Sequence, residues 1–153
     1  MEDTMTSTRI VALFGGLAVT AALASVWVQG TIAAEASLPA DVGDLSNAST
    51  VEIKDNSGAV VLRGHLLEIP EDDDDLERKA TLAGSGPTAK ATGQAEVEVS
   101  KTNNRVDQEV EVSVSNLAPG ATYAVFIDAK QLGTFQTNQN GKAELELTTA
   151  LVK

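Results

Sequence analysis

Residues 106–128, VDQEVEVSVSNLAPGATYAVFID, constrain the fold more tightly than any other stretch of the chain. Val110, Val112 and Val114 alternate with Glu109, Glu111, Ser113 and Ser115, the period-two pattern of a strand with one face buried and one in water. Asn116 to Thr122 then carries Pro119-Gly120, a pair that punctuates turns. Tyr123 to Ile127 runs apolar on both faces, as a strand covered on two sides does. Strand, tight corner and strand follow one another with no room for a helix, so the rest of the chain is read for more strands.

They are found on both sides. Val51 and Ile53 alternate with Glu52 and Lys54, Asp55-Asn56-Ser57-Gly58 supplies a turn, and Ala59 to Leu62 completes a hairpin. His65 to Ile69 extends that strand or starts another, and Pro70 stops it. Ala80 and Leu82 share one face of the next strand, and Gly84-Ser85-Gly86-Pro87 opens a loop. Ala95, Val97 and Val99 alternate with Glu96, Glu98 and Ser100, so residues 93–115 form a second hairpin with a glutamate-rich outer face. After Asp128, Ala129-Lys130-Gln131 turns the chain into Leu132 to Thr137. Asn140-Gly141 is a hairpin signal leading to Ala143, Leu145 and Leu147. No apolar run of period 3.6 occurs after residue 36. The pattern predicts one all-β domain over residues 50–153, an antiparallel β-sandwich of seven or eight short strands of immunoglobulin-like type.

Aromatic residues are only 3% of the chain, and Phe14 and Trp27 lie in the N-terminal apolar segment. That leaves Tyr123, Phe126 and Phe135, so the core must be built from Val, Leu, Ile and Ala. A net charge of -11 repels polyanions and excludes nucleic acid as a partner. The absence of cysteine excludes disulfides, thiolate catalysis, zinc-thiolate sites and lipid attachment through cysteine.

Residues 10–28, IVALFGGLAVTAALASVWV, are uncharged and follow Arg9, which marks an export segment within residues 1–36. Starting at Met5 would give a leader free of Glu2 and Asp3. Ala34-Glu35-Ala36 before Ser37 fits a small-x-small cleavage site, and Thr31-Ile32-Ala33 fits it less well. The alternative is an uncleaved membrane anchor through residues 10–28, which are numerous enough to span a bilayer. The expected location is therefore secreted, periplasmic or cell-surface, or else anchored in the inner membrane. Residues 37–49, SLPADVGDLSNAS, read as a linker. Asn47-Ala48-Ser49 matches a glycosylation sequon that matters only in a host that glycosylates.

The corner carries a resemblance. Leu117-x-Pro119-Gly120-x-x-Tyr123-x-Val125 resembles the corner before the sixth strand of fibronectin type III domains and the wider tyrosine-corner theme of immunoglobulin-like sandwiches, here of an exported bacterial kind. The resemblance implies that Leu117 plugs the core, Pro119-Gly120 reverses the chain and the Tyr123 hydroxyl bonds to nearby backbone. Where those domains carry a core tryptophan, the globular part of this chain has none. VSNLAPG is also similar to copper-zinc superoxide dismutase-like sandwiches, but their metal chemistry needs a histidine cluster and His65 is the single histidine, so that activity is excluded.

Glu68, Glu71, Asp72, Asp73, Asp74, Asp75 and Glu77 form the densest charge run. Asp72, Asp73, Asp74 and Asp75 are the candidate ligands for calcium, a hard cation that takes six to eight oxygens converging on one point. The run lacks the D-x-D-x-D-G pattern and an internal glycine, which favours a solvated loop that discourages edge pairing. No nucleophile motif accompanies His65, and no glycine-rich loop precedes a helix, so no enzyme is expected. Two functions follow. One is a non-catalytic exported sandwich mediating adhesion, assembly or envelope interactions through strand edges and acidic faces. The other is a calcium- or small-ligand-binding module using the acidic loop from Glu68 to Glu77.

Overall fold

The computed structural model describes residues 32–70, 75–102 and 105–149, and these residues form an all-β fold. The strands are β1 (Ile32–Ser37), β2 (Thr50–Asp55), β3 (Val60–His65), β4 (Leu67–Ile69), β5 (Leu76–Gly84), β6 (Thr92–Thr102), β7 (Arg105–Ser115), β8 (Thr122–Ile127), β9 (Lys130–Gln136) and β10 (Ala143–Thr148). They form one continuous sheet in the order β1-β10-β7-β6-β5-β3-β2-β8-β9, with β4 added on β5. The sheet curls into a near-barrel, bringing β9 back beside β10 and β1. Two halves can be distinguished. They join where β3 meets β5 over just two paired positions, Leu62 with Gly84 and Arg63 with Ala83.

Ten strands in a single ladder differ from the seven or eight short strands of an antiparallel sandwich expected above. All of β1 but Ser37 falls inside the stretch read as leader, and β4 is too short to show periodicity. β1 also pairs with β10 in parallel, Ile32 opposite Ala143 through Ser37 opposite Thr148. The residues read as a linker contribute to the core: Leu38, Leu45 and Ala48 are all buried. The export segment, residues 10–28, lies outside the described residues.

Alternation does most of the folding work. Val97, Val110 and Leu147 stand opposite one another across β6, β7 and β10, each at most 1% exposed. Each such side chain stabilises the fold by about 1.5–3 kcal/mol through burial. Because side chains alternate, the intervening residues of the same three strands must face outward together.

Turn chemistry gave one misleading sign. Asn138 to Gly141 makes a tight turn, but β9 and β10 do not pair: β9 pairs with β8, while β10 pairs with β7 and β1. The turn carries the chain from one half of the sheet to the other. Gly141 has φ +68°, and a Cβ there would meet the Leu117 carbonyl oxygen at 2.1 Å. The hairpin in this region is β8–β9, closed by Asp128 and Ala129, with φ +46° and +69°. Positive φ at both central residues is the twist-matched hairpin geometry, here built without glycine. The Asp128 carboxylate helps hold it by accepting from the backbone N–H of Thr50 at 2.9 Å and the Ser49 hydroxyl at 2.7 Å.

The 116–122 corner likewise crosses between halves. Leu117 and Tyr123 are each 5% exposed, Pro119 is exposed, and Gly120 has φ +67°. The Ala118 N–H donates to the Tyr123 hydroxyl oxygen at 3.1 Å. Thr137 fastens the same corner from the end of β9. Its hydroxyl donates to the Ala118 carbonyl at 2.6 Å and accepts from the Ala121 N–H at 3.1 Å.

Candidate functional site

The outer face of β1-β10-β7-β6-β5 is paved with glutamates. Glu35 stands opposite Glu146, Glu146 opposite Glu111, Glu111 opposite Glu96, and Glu96 opposite Lys79. In the neighbouring row Glu109 faces Glu98, which faces Glu77. Strand periodicity dictates this arrangement. E-x-E pairs at Glu96/Glu98, Glu109/Glu111 and Glu144/Glu146 each alternate with apolar residues, so burying the apolar set forces every glutamate onto one surface. Like charges directly opposite one another destabilise a sheet, so the face forms at a cost to stability.

Two clusters are tight enough for their carboxylate oxygens to lie within 4.8 Å of one another: Glu77 with Glu96 and Glu98, and Glu109 with Glu111 and Glu146. Burial, followed by the hydrogen bond to Glu96 and the charges of Glu96, Glu109 and Glu77, pushes the Glu98 carboxyl above its ordinary value. Burial and the charges of Glu146, Glu111 and Glu96 do the same to Glu109. Lys79 is the main relief. It pairs with Glu77 and, at 3.3 Å, with Glu96, and these two contacts raise its own pKa.

A groove of about 760 Å³ runs over this face. Glu96, Glu111 and Glu146 line it, with Ala33 and Glu35 of β1 at one side and His65, Leu67 and Ile69 at the other. Leu67 is 67% exposed, which gives that side an apolar lip. Its chemistry is that of a cation-attracting surface with room for an extended chain.

Of the acidic run expected to hold calcium, the described residues include Glu68, Asp75 and Glu77. Asp72, Asp73 and Asp74 lie outside the described residues, and Asp75 is exposed just before β5, in neither cluster. Glu68 is taken by Arg78 at 2.9 Å. Of the described members of the run, Glu77 alone reaches a carboxylate cluster, and that cluster is on the sheet face. The corner residues Leu117, Pro119, Gly120 and Tyr123 belong to the fold and do not line the groove. The glutamate-rich face of the 93–115 hairpin was legible in the sequence. The contributions of Glu35, Glu77, Glu144 and Glu146 were not, because they depend on which strands neighbour that hairpin.

The chain matches no known protein family, no curated protein and no solved structure. Fold and face therefore define its class by themselves: an all-β protein with one strongly acidic sheet face. Among the described residues no helix is long and apolar enough to cross a membrane.

Proposed function

We propose that this chain is a non-catalytic, exported module of immunoglobulin-like or fibronectin type III-like descent, which mediates adhesion, assembly or envelope interactions. Its acidic sheet face engages a positively charged partner. The observation that carries this reading is the unbroken cross-strand row Glu35, Glu146, Glu111, Glu96 beneath the groove. Such a row costs stability and offers electrostatic complementarity to a lysine- or arginine-rich segment. The same charge repels nucleic acid and supports a cationic partner in its place. The tyrosine-anchored corner supports the proposed descent, and residues 10–28 support export.

Binding to a fluorescent oligolysine peptide at rising salt concentration tests the reading. Affinity should fall steeply with salt and drop further in Glu96→Gln/Glu111→Gln/Glu146→Gln. Equal affinity for a neutral peptide of the same length would sink the idea.

The two carboxylate clusters favour a second reading, a calcium-binding module. It predicts that millimolar calcium raises the thermal midpoint and that a chelator reverses the gain. An unchanged midpoint removes it.

A further inference from the structure

β1 differs from every other described strand. It is the parallel one, and Ala33, Glu35, Ala36 and Ser37 are exposed, while Ala34 is half-buried against the core. The strand it covers is the opposite: β10 buries Ala143, Leu145 and Leu147. β1 thus satisfies the backbone of β10's edge while adding little apolar burial beyond Ala34, so its release mainly exchanges ladder hydrogen bonds for water. It is followed by Leu38, whose N–H donates to the Thr148 carbonyl at 2.8 Å, and then by residues 39–43. That stretch runs from Pro39 to Gly43 at φ +79° and links β1 to the 3-10 turn Leu45–Asn47, held by the Asp41–Lys130 ion pair at 3.1 Å and by the Gln108 side-chain amide, which donates to the Gly43 carbonyl at 2.9 Å.

We propose that β1 is exchanged between copies, the Ile32–Ser37 strand of one chain occupying the β10 edge of another. The fit is displayed within the molecule. Register, side-chain size and backbone pairing are those of the seated strand, and every copy offers the same edge. Swapping an identical element needs no new interface, only a different path through residues 39–43 at the expense of the exposed Asp41–Lys130 pair and the Gln108 hydrogen bond.

The natural absence of cysteine makes a clean test available. Glu35 and Glu146 are paired across the ladder, and paired positions of adjacent strands lie within disulfide reach. Full-length Glu35→Cys and Glu146→Cys chains, purified in detergent, are mixed and oxidised. Strand exchange predicts a disulfide-linked heterodimer severalfold more abundant than the homodimers that either variant forms alone. The double variant Glu35→Cys/Glu146→Cys should close this disulfide, within one chain or between two. If it closes while the mixture gives no excess dimer, β1 never leaves its own edge and the proposal is overturned. Failure of the double variant to close would show the pairing itself to be wrong and overturn it equally. No cationic partner is present in this assay, so its outcome is independent of the acidic-face reading.

Discussion

Replacing Thr137 by valine removes one hydroxyl and leaves the side-chain shape almost unchanged. Thr137 is 1% exposed, and its hydroxyl joins the Ala118 carbonyl and the Ala121 N–H. Each hydrogen bond contributes about 0.5–1.5 kcal/mol net, and a stranded buried partner costs about 1–3 kcal/mol. Ala118 is exposed and Ala121 half-buried, so water can recover part of that loss. The backbone bond from the Thr137 N–H to the Ala121 carbonyl, 3.0 Å, survives the substitution. The expected destabilisation is therefore about 2 kcal/mol, which for a domain of this size lowers the thermal midpoint by roughly 6–10 °C. Tyr123→Phe removes the acceptor of the Ala118 N–H and should cost about 1 kcal/mol, leaving the ring stacked on Phe135 at 5.8 Å. Both hydroxyls hold the Ala118 residue, so the double variant should depart from additivity by at least about 0.5 kcal/mol. Urea unfolding of the four proteins, followed by far-ultraviolet circular dichroism, measures all three quantities. A Thr137→Val stability within about 0.5 kcal/mol of the parent would refute the argument that side-chain clamps hold the corner.

Three further outcomes follow from the geometry. Ala129→Gly should stabilise by about 0.5–1 kcal/mol, because relief of a left-handed residue, about 1–2 kcal/mol, exceeds the added chain entropy of glycine, about 0.5–1 kcal/mol; a lower denaturation midpoint would contradict it. Gly141→Ala should destabilise more than Gly120→Ala. Both have positive φ, but only position 141 has a carbonyl oxygen against the new Cβ, and equal midpoints would show that the turn moves freely. Raised carboxyls at Glu98 and Glu109 make the folded state bind protons above the ordinary value of 4.5, so stability should fall as pH rises from that value through their folded pKa values. Below it, Glu52, depressed by Lys54 and Arg63, and Asp55, depressed by the Ser57 hydroxyl, lose their contribution as they protonate. The thermal midpoint should therefore peak near the ordinary carboxylate value of 4.5, and Glu98→Gln with Glu109→Gln should flatten the upper limb. A midpoint that climbs steadily to neutral pH would overturn the reading.

Much of the local structure was written in the sequence. Alternation at Val110, Val112 and Val114, and again at Ala95, Val97 and Val99, marks the β6–β7 hairpin because strand period two leaves one choice of buried face. Asp55 to Gly58 marks the β2–β3 turn, where the Asp55 carboxylate accepts from the Ser57 and Ala59 N–H groups at 2.9 and 3.0 Å. The glutamates of that hairpin were legible for the same reason as its valines.

Long-range pairing was not legible. Asn140-Gly141 has the chemistry of a hairpin turn, yet β10 goes to β7 because that register buries Leu145 and Leu147 beside Val112 and Val110. β1 shows little periodicity of its own, since it is held by the backbone of β10 and barely by side chains. The sequence by itself determined an all-β chain with alternating glutamates, because side-chain period is a local property of the strand. Only the tertiary structure decided that five strands stand side by side to pool those glutamates beneath one groove, because strand order depends on contacts between residues far apart in the chain.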